Sequence, residues 1–166
     1  MRTKLVSRGV AAMIAAAAFS AFSVADAQRP RQTPYWASIA SGQAMMRTGP
    51  GQTYPATWLY RRADLPIKVL EVYQNWRKIQ DPDGTVGWMM VSLLSDQRTG
   101  IVRGDEPQPL HEEADARSPV RFRAEPGVVG RISRCGEGWC HFDVRGRDGY
   151  IRSDRIWGLD RGEAVD

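Results

Sequence analysis

Two stretches of this chain set apolar and polar residues in the same order. Residues 75–95 read NWRKIQDPDGTVGWMMVSLLS and residues 138–157 read GWCHFDVRGRDGYIRSDRIW. With Trp76 laid on Trp139, Ile79 falls on Phe142. After one gap in the turn, Gly87, Trp88, Met89 and Leu94 fall on Gly149, Tyr150, Ile151 and Ile156. Upstream, with single-residue gaps, Val69 meets Ile132, Trp58 meets Phe122 and Pro55 meets Pro119. Aromatic and branched positions agree between the copies while polar ones drift, which is the pattern of a duplicated core.

Within each copy the period is two, the spacing of strands. PIKVLEVY (66–73) puts Ile67 and Val69 on one face and Leu70 and Val72 on the other. NWRKIQD puts Trp76 and Lys78 on one face, Arg77 and Ile79 on the other. DPDG (81–84) is a turn, since proline presets one φ and Gly84 accepts a positive one. VGWMMV is the return strand. VVGRISRC, the GEG turn and a hairpin around Gly146 repeat this order. No helical period of useful length follows the N-terminal segment. The pattern predicts an all-β protein of two small, partly open barrels in tandem. Trp58, Trp76, Trp88 and Leu94 are the expected bulky core residues of the first, and Phe122, Trp139, Phe142, Tyr150 and Ile156 those of the second.

The N-terminus differs. Arg2, Lys4 and Arg8 precede an Ala-rich apolar run, and Ala25-Asp26-Ala27 has the small-x-small form of a signal-peptidase site. The run is shorter than the roughly 20 apolar residues a spanning helix needs. The expected organisation is a signal peptide over 1–27, cleaved after Ala27, and a flexible lead-in over 28–35. A first unit over 36–96, a linker over 97–106, a second unit over 107–159 and a loose tail over 160–166 follow. Ile101-Val102 within the linker would suit a short strand in either unit. The protein is expected in the periplasm or outside the cell, with no membrane span after cleavage.

The net charge is +4; the leader holds three basic residues and one acidic, so +2 remains without it. No block of five or six like charges occurs, which argues against a nucleic-acid partner. Cys135 and Cys140 in CGEGWC, in an exported chain, are a candidate disulfide. His141 follows, but the spacing fits neither haem attachment nor a zinc site, so no metal or other cofactor is expected.

Residues 45–95 resemble the bacterial SH3-like (SH3b) domain. The likeness rests on Arg47 to Pro50, the strand Ile67 to Val72, Asn75-Trp76, Asp83-Gly84, Gly87-Trp88 and Ser92 to Leu94, in that order. CGEGWC and GYIRSDRIWG resemble the second copy of exported tandem members. The resemblance implies small β-barrels and a binding role toward peptidoglycan, cell-wall peptides or other envelope proteins. HEEADARSP (111–119) departs from the loop of the first copy, which leaves a shared ligand surface in the second unit open.

The residues themselves argue against an enzyme. No G-x-S-x-G, H-E-x-x-H or phosphate-cradling glycine loop occurs. Cys140 and His141 are adjacent on a strand and point to opposite faces. Candidate ligand contacts are Tyr54, Trp58, Tyr60 and Tyr73, with Arg47 and Arg61 (and Arg62 beside it) for a carboxylate or phosphate. Tyr54, Tyr60 and Tyr73 lack aromatic counterparts in the second copy. Trp76, Trp88, Trp139 and Tyr150, shared by both copies, are the core signature. The expected function is a non-catalytic exported module for a cell-wall peptide or peptidoglycan-derived ligand. The alternative is an interaction subunit that docks onto or regulates another envelope protein such as a wall hydrolase.

Overall fold

The structure is a computed structural model that describes residues 31–166. The expected signal peptide and its cleavage site lie outside the described residues. Two seven-stranded antiparallel sheets make up the described residues. The first contains β1 (Tyr35–Ile39), β2 (Ala44–Arg47), β3 (Ala56–Tyr60), β4 (Pro66–Tyr73), β5 (Trp76–Gln80), β6 (Val86–Met90) and β7 (Leu94–Ser95) in the order β3-β2-β6-β5-β4-β1-β7. The second contains β8 (Thr99–Val102), β9 (Gln108–His111), β10 (Val120–Ala124), β11 (Val129–Gly136), β12 (Trp139–Val144), β13 (Arg147–Arg152) and β14 (Ile156–Trp157) in the order β10-β9-β13-β12-β11-β8-β14. The two orders are one topology used twice. Each sheet curls into a small, partly open barrel. Among the described residues no helix is long and apolar enough to cross a membrane.

The register reproduces the sequence repeat residue by residue. Val69 pairs with Ile79 and Ile79 with Gly87; Ile132 pairs with Phe142 and Phe142 with Gly149. β8, from the segment between the copies, pairs with β11 and β14 and so occupies in the second sheet the place of β1 in the first.

Ile39, Ile67, Val69, Ile79 and Met89 are fully buried in one core; Phe142, Cys140 and Ile151 anchor the other. Each of the aliphatic, methionine and phenylalanine side chains among them contributes about 1.5–3 kcal/mol by leaving water. The cores are filled differently. Ile67 and Ile79 of the first correspond to Gly130 and Phe142 of the second, where a Cβ on Gly130 would lie 2.8 Å from the Phe142 ring. The period of two breaks once in β4, where a register shift between Val69 and Glu71 turns Val72 toward the core. This is the effect of a β-bulge.

Cys135 and Cys140 are joined by a disulfide across the β11–β12 hairpin, whose turn residues Glu137 and Gly138 have φ of 50° and 83°. The C-terminal tail is not loose. Val165 and Cys135 exchange backbone hydrogen bonds of 2.8 and 3.3 Å, and Arg98 grips Glu163 at 2.7 and 3.1 Å. The polar composition of the tail had suggested solvation, but its acidic residues are partners for Arg98 and Lys68.

The barrels meet directly. Trp36 of β1 and Trp157 of β14 pack edge to face at 4.6 Å between ring centroids. The Lys68 ammonium lies 4.9 Å over the Trp36 ring and 2.6 Å from Asp160. Arg103 of the second unit donates a hydrogen bond to the Pro82 carbonyl of the first.

Candidate functional site

Alternation in β5 and β6 sends two sets of side chains to opposite sides. Ile79 and Met89 face the core; Trp76 pairs with Met90, Lys78 with Trp88 and Gln80 with Val86 on the outer side. β4 adds Glu71 opposite Lys78 and Tyr73 opposite Trp76, and β2 adds Arg47 opposite Trp88. The outer face of the first sheet therefore carries Arg47, Tyr73, Lys78 and Trp88 together. Tyr73, half exposed, meets Trp88 edge to face at 6.5 Å. The Lys78 ammonium lies 6.0 Å over the Trp88 ring and 3.6 Å from Glu71. Met45 and Val86 continue the strip with exposed apolar surface.

The loop after β2 folds against this face. Arg47 donates a 2.7 Å hydrogen bond to the Tyr54 carbonyl, and Thr48 bonds Pro55 across the loop base. The Tyr54 ring lies on Gly49, where a Cβ would sit 2.3 Å from it. Glycine is needed there because any side chain would displace the ring. Tyr54 remains 46% exposed.

The expected ligand residues thus divide. Arg47 and Tyr73 belong to the outer face, and Tyr54 stands in the loop whose backbone Arg47 holds. Trp58, 59% exposed, pairs with the core residue Met46 at the open edge of the sheet, on the other side from Arg47. It is neither a bulky core residue nor part of the outer aromatic face. Tyr60 is not a surface residue. It is 6% exposed and its hydroxyl donates to Asp81 at 2.8 Å. Its counterpart by register is Ala124, so the missing aromatic in the second copy reflects a difference in core filling, not a surface specialisation. Arg61 lies in the loop after β3, facing the second barrel.

The core signature also divides. Trp76 and Trp139 are buried, at 9% and 8% exposure. Trp88 and Tyr150 are half-buried on the outer faces, away from the cores, because each stands opposite the outward residue of its neighbouring strand. Trp88 and Lys78 therefore stand beside Arg47 and Tyr73 on the outer face, a placement that the sequence repeat hid. Alternation sets them on the face opposite Ile79 and Met89 without saying which face is inside.

The matching face of the second sheet is occupied by its own charges. His111 stands in the place of Arg47 and packs on Trp139 at 5.5 Å. Arg152 lies 5.4 Å over Trp139, and Arg134 lies 5.8 Å over Tyr150. His141 meets Asp148 at 2.9 Å and Arg121 meets it at 3.8 Å. The His141 hydrogen bond, with the Arg121 charge, holds the Asp148 carboxyl below its usual range. Gly136 replaces Tyr73, so the exposed ring is missing. Among the described residues no three His, Cys, Asp or Glu side chains gather as a metal site.

The family model for the bacterial SH3 domain matches the chain twice, over residues 40–96 and 104–158. No curated protein matches it. Among solved structures, NlpC2 from Trichomonas vaginalis is similar at 12% identity over 77% of this chain and 49% of that one, with a TM-score of 0.34. An NlpC/P60 family protein from Bacillus cereus ATCC 10987 is similar at 10% identity over 74% and 56%, TM-score 0.34. NlpC1 from Trichomonas vaginalis gives 12% over 78% and 48%, TM-score 0.33. The chain spans about half the length of these proteins.

Proposed function

The chain belongs to the bacterial SH3 domain family in both halves, and on that premise we propose that it is a non-catalytic exported binding module whose first sheet recognises a cell-wall peptide or peptidoglycan-derived ligand. The observation that supports this reading is the uncovered outer face carrying Tyr73, Trp88, Lys78 and Arg47. Aromatic rings beside cations stack on sugar faces or peptide planes, while arginine receives carboxylates in two parallel hydrogen bonds. Stem peptides offer both features. The second unit, its outer face filled by its own charged groups, braces the first.

The test is retention of the exported chain on purified peptidoglycan sacculi at low and high salt. Binding that survives high salt and falls several-fold in Tyr73→Ala supports a shaped site. Retention that vanishes with salt, or that Tyr73→Ala leaves unchanged, overturns it.

A second reading has its own observation. Met45, Leu59 and Val86 are large apolar side chains exposed by 37%, 38% and 45%. A protein partner would cover such surface. No retention on sacculi, with a crosslinked envelope protein recovered through these positions, would favour docking.

A further inference from the structure

The two barrels enclose a cleft of about 760 Å³ between the loop after β3 and the end of the second sheet where β11 begins and β12 turns into β13. Small-ligand sites commonly occupy about 300–1,000 Å³. Four arginines line it: Arg61 and Arg62 from the first unit, Arg131 from β11 and Arg145 from the β12–β13 turn. We infer that this cleft binds a ligand bearing two or more oxyanions, carboxylates or phosphates, held by guanidinium groups from both barrels at once.

The arginines are available. Among the described residues none of the four makes an ion pair, whereas Arg31, Lys68, Lys78, Arg98, Arg121 and Arg152 do. Two carboxylates share the lining, Asp64 and Asp143. Asp143 already accepts the Gly146 N–H at 2.7 Å, which shapes the turn that carries Arg145. Four positive groups against two negative ones leave an excess that an oxyanion relieves. Each guanidinium can also form a bidentate pair with a carboxylate or phosphate.

The backbone that carries them is fixed. Asp64 donates its N–H to the Ile39 carbonyl at 2.8 Å and closes the loop behind Arg61 and Arg62. Arg145 and Gly146, with φ of 54° and 86°, form a tight hairpin turn. The Trp36–Trp157 contact and the Lys68–Asp160 pair hold one barrel against the other. Val128, Val129 and Val144 give an apolar wall for the body of the ligand. No aromatic side chain lines the cleft, so it lacks the stacking platforms of a single-strand nucleic-acid groove. This site lies apart from the outer face of the first sheet and does not depend on the function proposed for it.

The experiment is calorimetric titration of the exported chain with tripolyphosphate and, separately, citrate, at constant ionic strength. Saturable binding is expected for at least one, weakened about tenfold by Arg131→Gln or Arg145→Gln and likewise by Arg61→Gln. Tripolyphosphate alone would identify a phosphate-bearing ligand, and citrate binding a carboxylate-bearing one. All four arginines are exposed, so the variants should fold; Arg123→Gln, exposed on β10, and Tyr73→Ala should leave binding unchanged. Failure of both anions to saturate, or equal weakening by Arg123→Gln, would overturn the assignment.

Discussion

Tyr60 donates its hydroxyl hydrogen bond to Asp81 at 2.8 Å, joining the end of β3 to the β5–β6 turn. Asp81 is 5% exposed, and its other oxygen accepts the N–H groups of Asp83 at 3.0 Å and Thr85 at 2.8 Å. One buried carboxylate therefore shapes the turn and ties it to the edge of the sheet. Tyr60→Phe removes a donor from that carboxylate and should cost about 1–3 kcal/mol in urea unfolding. A loss under about 0.5 kcal/mol would mean the contact adds nothing net.

The same contact sets a response to alkali. Burial, then the Asp81 hydrogen bond and charge, push the Tyr60 hydroxyl far above the ordinary tyrosine value of 10.0. The folded state holds this proton more tightly than the unfolded chain. Its contribution is complete below pH 10 and declines as pH rises beyond it, while the unfolded tyrosine ionises. Denaturation midpoints should fall between pH 9.5 and pH 11 in the parent protein. The fall should be shallower in Tyr60→Phe, and identical slopes would refute the link.

The glycine before each outer aromatic is a space requirement. A Cβ on Gly149 would lie 2.8 Å from the His111 carbonyl and 2.9 Å from the Leu110 Cβ. On Gly87 it would meet the Met46 side chain at 2.5 Å and the Arg47 carbonyl at 3.0 Å. Methionine can swing away, whereas backbone cannot. Gly149→Ala should therefore destabilise more than Gly87→Ala, with overpacking costs of about 1–3 kcal/mol at the former. Thermal unfolding of both variants gives the ranking, and the reverse order would contradict it.

The tail gives the opposite pH dependence. Burial pushes the Glu163 carboxyl up, but hydrogen bonds from Arg98 and from the Asp160 N–H, together with the Arg98 charge, outweigh it and hold it below 4.5. A depressed folded value means stability present above pH 4.5 and lost as pH falls through the lower folded value. Glu163→Gln should remove part of the acid sensitivity below pH 4.5 and should free the tail for proteolysis near neutral pH. An unchanged acid limb together with a protected tail would show that Arg98 is not the clamp.

Much of the fold is legible in the sequence. Trp76 on Trp139 and Gly87 on Gly149 are true register equivalents because apolar alternation and turn residues are local signals. What the alternation could not reveal was which of two apolar faces was inside. Trp88 and Tyr150 are large and repeated, and so resembled core residues, yet both stand on the outer face. Tyr60 looked like a surface specialisation, but whether a core position takes tyrosine or alanine is settled by its neighbours across the barrel. The arginine cleft joins residues about seventy positions apart in the chain, and no spacing along the sequence announces it.

The contact between Trp36 and Trp157 uses unlike surfaces of two like bodies. By register, the counterpart of Trp36 in the second barrel is Thr99, and the counterpart of Trp157 in the first is Ser95. A head-to-tail joint of this kind would propagate if every unit carried both halves. Here each unit carries one, the first only the socket and the second only the plug. The duplication therefore copied the fold and not the joint: the residues that seat one barrel on the other are a difference between the copies.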